Sequence, residues 1–227
     1  MHIDDVNMLW QNNSMQTARR KSAEPDTYHH GDLRRSLIEA AVAMASEKQD
    51  WTFSLREVAR RAGVSHNAPY NHFQNKRDLM AAVAAAGYNA LRDRMKSAIA
   101  GIEKADAALF KSGVEYVKFG LDHPTHYRLM FSSALAATQE VRPEQVKSAA
   151  AEARSVLEDV LRRGARTGVF PTSFQRKDEL MIATLTAWSA VHGFTMIAID
   201  DLIGVPRPLM EHASERLVRT VVASLRA

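Results

Sequence analysis

Hydrophobic positions recur every three or four residues along most of the chain, with polar residues between them on the opposite faces. From about Gly31 to Lys48, Leu33, Leu37, Ala41, Met44 and Ala45 share one stripe. Leu55, Val58, Ala59 and Ala62 form a second, shorter one. A third, Leu79, Val83, Ala86 and Ala90, starts from a cap at Asn75 and carries on to about Ala100. Further helices are expected over about 104–122 and 124–137, parted at His123-Pro124. Three more follow at about 143–167, 176–201 and 207–225, the last after a break between Gly204 and Pro208. No strand-type alternation persists beyond a few residues. The pattern predicts an all-α chain of about nine helices with no internal repeat.

The stretch LREVARRAGVSHNAPYNHF, Leu55 to Phe73, carries the most specific local signal. Ser54 stands before the first stripe and Glu57 follows three residues later, the spacing of a reciprocal capping box. Gly63 supplies the backbone freedom of a sharp turn, and Val64 can plug the corner. Ser65 is placed to cap a second helix bearing His66, Asn67, Tyr70, Asn71 and His72. Pro69 falls at the edge of its first turn, where backbone donors are free, so the second helix is expected to be short and slightly distorted. Helix, glycine turn and polar second helix describe a helix-turn-helix, whose second helix enters the DNA major groove. Phe53 and Phe73 are expected in the core between these helices.

On an α-helix, residues 66, 67, 70 and 71 share a face. Asn67 and Asn71 can each offer an amide donor and acceptor to an adenine edge, and His66 can bond a purine edge. Thr52, Ser54, Tyr70, His72 and Lys76 are suited to phosphate. The plain alternative for His72 is a partly exposed histidine with no such role.

Composition adds bounds. The chain has 227 residues, a formal net charge of +4 and no cysteine. Disulfides and thiolate metal sites are excluded. The charge permits an anionic partner without demanding one. No unbroken run of about eighteen apolar residues occurs, so no membrane span is indicated. The opening MHIDDVNMLWQNN lacks the pattern of a secretory signal, and a cytoplasmic location is expected. Residues 1–28 read as a flexible polar arm, with Met8 and Met15 as alternative starts and a basic run at Arg19, Arg20 and Lys21.

Residues 29–80 resemble the DNA-binding domain of the tetracycline-repressor (TetR) family of bacterial regulators. The resemblance is carried by HHGDLRRSLIEAA and by TFSLREVARRAGVSHNAPYNHFQNKRDLM. HPTHYRLMF (123–131) and AWSAVHGF (187–194) are similar to the subgroup whose C-terminal domain has a Trp, His, Gly signature. The resemblance implies an arm at 1–28, a DNA-binding domain at 29–78 and a helical sensing and dimerisation domain at 79–227. It also implies that Tyr70, His72 and Lys76 hold the DNA backbone; Ser65, the expected cap, is a further candidate DNA-binding residue.

The second half has bulky residues on helices expected to face one another: Tyr116, Phe119, Tyr127, Phe131, Trp188 and His192. Core packing accounts for any one of them. Together they also suit a small-molecule pocket with a few polar handles, which the resemblance implies. His123 and His126 lie three apart, but Pro124 between them and the lack of a carboxylate cluster argue against a metal. No phosphate loop, metalloprotease pair or nucleophile elbow is present, so neither a cofactor nor a catalytic residue is expected.

The last two helices carry Leu185, Ala187, Ser189, Ala190, Gly193 and Ile197, then Leu217, Val218, Val221, Val222 and Leu225. The resemblance implies a homodimer through this pair, with Val221 and Val222 expected at the twofold contact. One short reading helix covers too few base pairs to be selective, so a dimer on a near-palindromic operator is expected independently. The leading expectation is a repressor released from DNA by an unknown small-molecule effector. The alternatives are a helix-turn-helix architectural or adaptor protein without ligand sensing, and an all-α enzyme using Trp188 and His192.

Overall fold

The computed structural model describes residues 30–132, 135 and 143–226, and these are all-helical, with no strand among them. The arm expected at 1–28, with its basic run, lies outside the described residues. Among the described residues there are eight α-helices: α1 His30–Lys48, α2 Leu55–Arg61, α3 Lys76–Ile99, α4 Ala105–Asp122, α5 Pro124–Met130, α6 Glu144–Arg166, α7 Lys177–Ile199 and α8 Arg207–Ser224. Two four-residue 3₁₀ turns, Ala68–Asn71 and Thr172–Gln175, complete the described elements.

The expected α1 stripe is buried throughout, Leu37, Ala41 and Ala45 completely. Ser54 and Glu57 form the capping box: the Ser54 amide donates to Glu57 Oε2 at 2.7 Å, and the Glu57 amide donates to Ser54 Oγ at 3.3 Å. Gly63 has φ +72°, in the left-handed region that lets the chain reverse after α2. Asn75 caps α3 by accepting from the Asp78 amide at 3.0 Å. Phe53 and Phe73 are buried between α1, α2 and α3.

Two expectations about helices are corrected. The helix expected from Ser65 is only the 3₁₀ turn Ala68–Asn71, with Asn67 at its cap position and no side-chain cap bond. Pro69 has no N–H to give to the Ser65 carbonyl, so the first i→i+4 bond of a helix capped at Ser65 is missing. The backbone closes i→i+3 bonds, from Ala68 N to Ser65 O at 3.0 Å and from His72 N to Pro69 O at 3.0 Å, with one i→i+4 bond at its end from Phe73 N to Pro69 O at 2.9 Å. The helix expected over 124–137 ends at Met130. Phe131 leaves the helical path to pack on Tyr127 (ring centroids 4.8 Å apart) and His192 (4.3 Å). Residues 133, 134 and 136–142 lie outside the described residues.

α3 is the spine. It packs against α1 at one end and against α4, α5 and α6 further along. Arg92, almost fully buried, ties α3 to α6 through Glu152. Arg94 reaches Glu115 and Asp122 on α4, both at 2.8 Å, and Asp122 in turn pairs with Arg207 at the start of α8. α4 lies centrally in the second half, against α5, α6, α7 and α8.

α7 is long and apolar enough, by length and composition alone, to cross a membrane. Its inner side, Leu180, Ala183, Ala187 and Val191, is buried within the chain. Its outer side exposes Met181, Ile182, Leu185 and Ile197. Both sides being apolar explains the composition. On α8 the valines expected at the twofold contact also pack against this chain's own core. Val222 is buried, and Val221 and Val222 both line a cavity inside this chain. Val218 is buried against Gly113 of α4.

Candidate functional site

The 3₁₀ turn and its approach present a polar surface. Ser65, His66, Asn67, Tyr70 and Asn71 are exposed, while Pro69 beneath them is buried and Ala68 packs against the core. The 3₁₀ pitch changes which residues share a face. At three residues per turn, Asn67 eclipses Tyr70, and Asn71 eclipses Ala68, about 120° around the axis. The α-helical grouping of 66, 67, 70 and 71 is therefore replaced by two neighbouring rows. His72 is half-buried, its ring 6.4 Å from that of Phe73. Lys76 opens α3 with its ammonium 5.5 Å over the Phe53 ring, an attraction that orients the amine while its charge remains available.

Thr52 and Ser54 are exposed but already engaged. Thr52 donates its amide and hydroxyl to Asp50 Oδ1 at 2.9 and 2.8 Å, which holds the Asp50 carboxyl below its usual range. Ser54 Oγ donates to Glu57 Oε2 at 2.9 Å. Either hydroxyl must exchange a carboxylate for a phosphate to touch DNA.

The second half holds a partly open cavity of about 280 Å³. It is walled by Tyr88, Leu91 and Met95 of α3, by Leu109, Ser112 and Tyr116 of α4, and by Phe131. Ala153 and Leu157 of α6, Trp188 of α7 and Val218 of α8 close it. Of the six residues expected around a ligand, Tyr116, Phe131 and Trp188 are in this wall. Tyr127 and His192 sit one layer behind. Tyr127 Oη lies 2.8 Å from Tyr116 Oη and 2.7 Å from His192 Nδ1. Trp188 Nε1 donates to Tyr116 Oη at 3.0 Å. Phe119 is buried away from the wall, its ring 5.1 Å from His123. Burial pushes the phenols of Tyr116 and Tyr127 up and the imidazole of His192 down, so all three are uncharged near neutral pH.

Sequence reasoning misses the walls that α3 and α6 contribute. Tyr88, the one aromatic on alanine-rich α3, is the available signal, as is the small stripe Ala150, Ala153 on α6.

α5 connects the two regions. His126 Nε2 lies 2.7 Å from the carbonyl of Val83 on α3, and the Tyr88 hydroxyl donates to the Met130 carbonyl at 2.9 Å. A carbonyl only accepts, so the His126 proton is on Nε2. The next residue along, Tyr127, belongs to the cluster behind the cavity. His123 and His126 diverge, one to Phe119 and the other to Val83. Among the described residues no three His, Asp or Glu side chains are grouped so as to hold a metal ion.

Comparison with known proteins agrees with this architecture. The family described as "Bacterial regulatory proteins, tetR family" matches residues 37–83, and "Tetracyclin repressor-like, C-terminal domain" matches residues 109–223. A protein of unknown function from Rhodococcus sp. RHA1 is similar at 26% identity and a TM-score of 0.73, over 89% of this chain and 100% of that one. The TetR family transcriptional regulator PfmR from Thermus thermophilus is 18% identical, with a TM-score of 0.59 over 84% and 96%. A TetR family regulator from Marinobacter aquaeolei is 14% identical, with a TM-score of 0.61 over 84% and 95%. With both halves matched in order on one continuous fold, this chain belongs to the TetR family and is a DNA-binding transcriptional regulator.

Proposed function

We propose that this chain is a homodimeric repressor that leaves a near-palindromic operator when a small molecule fills the α3–α8 cavity. Residues 29–78 form the DNA-binding domain and 79–227 the sensing and dimerisation domain, working in the cytoplasm. Base edges are read from His66, Asn67 and Asn71, and phosphates are held by Tyr70, His72 and Lys76.

The observation that carries the reading is the position of α5. It backs the cavity through Tyr127, and it grips α3 through the His126–Val83 bond. α3 itself begins at Lys76, shortly after the reading turn ends at Asn71. A ligand that displaces Phe131 or Tyr127 shifts α5, and α5 tilts α3. The tilt changes the separation of two reading turns that must match major-groove faces about 34–36 Å apart. Ligand must bind the two arrangements unequally for this to work. The cavity itself favours sensing over a purely architectural role, which needs no internal space. His192 meets tyrosine hydroxyls rather than a carboxylate, which supports binding rather than acid–base turnover.

The test is anisotropy of an operator selected from random DNA, with and without a bound small molecule. Linkage requires ligand and DNA to weaken each other by the same factor, typically about 5–150-fold. Trp188→Ala is expected to blunt the response and leave ligand-free DNA affinity nearly intact. Independent binding of DNA and ligand overturns the sensor reading and leaves the architectural one.

A further inference from the structure

Among the described lining residues, the side-chain donors inside the cavity already have acceptors within the protein. The Tyr88 hydroxyl donates to the Met130 carbonyl at 2.9 Å, and Ser112 Oγ donates to the Leu109 carbonyl at 3.1 Å. Trp188 gives its one N–H to Tyr116 Oη at 3.0 Å. Tyr116 Oη also accepts from Tyr127 at 2.8 Å, and its own proton has His192 Nδ1 at 3.3 Å as partner. That oxygen is filled, with both lone pairs and its proton engaged. Apart from Arg154, the rest of the described lining is apolar, from Leu91 and Met95 of α3 to Val218 and Val222 of α8.

Arg154 stands at the rim, its side chain half-exposed. It pairs with Glu158 at 3.1 Å, and Glu158 is also held by Arg162 at 3.2 Å, with Asp159 3.3 Å from Arg162. Two cations and two carboxylates balance there, so no net charge is left to receive an ion.

These bonds decide what can enter. A carbonyl or carboxylate oxygen brought inside gives up its hydrogen bonds to water and finds no donor in exchange, which is unfavourable when neutral and more so when charged. A hydrocarbon gives up nothing and leaves water for an apolar wall. Volume sets the other bound. An apolar cavity of about 150 Å³ takes up benzene, and this one, at about 280 Å³, has room for roughly twice as much.

We propose that the ligand of this cavity is a hydrocarbon-like molecule, about the size of a fused bicyclic ring, that accepts no hydrogen bond from the wall. The proposal rests on the reading of the cavity as the effector site.

The experiment is calorimetry at pH 7 on the full chain with four probes on one ring system: naphthalene, 2-isopropenylnaphthalene, 2-acetylnaphthalene and 2-naphthoate. The isopropenyl probe matches the ketone in shape, with a carbon in place of its oxygen. The ketone is expected to bind about 10-fold or more weakly than this match, for want of a donor. The carboxylate is expected to bind more weakly still. The order of the four probes on the unmodified chain needs no variant. Leu157→Trp fills the cavity from α6 and separates the two readings. If it weakens no probe, the cavity is not where they bind, and the effector reading falls as well. If it abolishes binding but the ketone binds as tightly as its hydrocarbon match, or 2-naphthoate ranks first, only the ligand class is overturned. Failure of both hydrocarbons to bind the unmodified chain also overturns the ligand class.

Discussion

His126 Nε2 and the Val83 carbonyl oxygen are 2.7 Å apart in the buried contact between α5 and α3. Burial lowers the His126 pKa from 6.5 to about 4, so the folded chain keeps this ring neutral. Above pH 6.5 the ring is neutral folded or unfolded, and the contact has its full strength. Below it the unfolded chain takes up a proton that the folded chain refuses. Stability is then expected to fall by about 1.4 kcal/mol per pH unit for one such group, down to the folded pKa. Burial lowers His123 and His192 in the same direction and steepens the trend. Urea midpoints between about pH 7.5 and 5 measure it. His126→Gln is expected to flatten the slope, and a midpoint unchanged over that range contradicts the assignment.

Gly87 lies on α3 where the His126 ring presses closest. A Cβ there would sit 2.5 Å from His126 Nε2 and 2.7 Å from Met130 Sδ. Gly87→Ala gains about 1 kcal/mol of helix propensity but overpacks a tight contact, which costs about 1–3 kcal/mol. The net expectation is a lower unfolding temperature, with a larger drop for Gly87→Val. A rise for both variants would show that α5 yields freely, and α5 would then be a poor transmitter.

The reading turn yields a separable pair of outcomes. Asn67→Ala and Asn71→Ala are each expected to cost about 1–3 kcal/mol on the preferred site and to relax its sequence preference. Lys76→Ala is expected to weaken all sequences alike and to lower the salt slope by about one. Titrations over several salt concentrations distinguish these effects. Unchanged preference in both Asn variants removes those residues from the reading surface.

Exposure divides the last two helices into two classes of site. Leu185 is 43% exposed on the outer face of α7, beside Met181 at 56% and Ile182 at 57%. Leu185→Asp is expected to give folded monomers, because its carboxylate stays hydrated in a single chain. Val222→Asp places a charge against the internal cavity wall and is expected to unfold the chain. Sedimentation and circular dichroism read the two results. A Leu185→Asp chain that stays dimeric at the parent's affinity places the contact elsewhere.

Helix positions are legible in the sequence because each depends on local periodicity and caps. Ser54–Glu57, Gly63 and Asn75 perform the expected local tasks. The reading turn is less legible: Pro69 predicts distortion, but whether i→i+3 closure replaces a helix depends on how Phe73 anchors in the core. The cavity is the least legible. Its wall comes from five helices, and its volume depends on their spacing, which no periodicity encodes. Val221 and Val222 show the same limit. An apolar stripe has one period whether it meets its own core or a second chain, so the pattern alone cannot say which.

The outer face of α7 has a consequence for how the regulator behaves at low copy number. Regulators of this family act as dimers, and pairing through this face would add to the stability of a chain that folds alone. Folding and pairing would then be linked, and the melting temperature would rise with protein concentration. Dilution would separate the pairs and so remove the chain from the DNA. Below the concentration at which pairs form, the promoter is released without any effector, so the cell's supply of the chain acts as a second input.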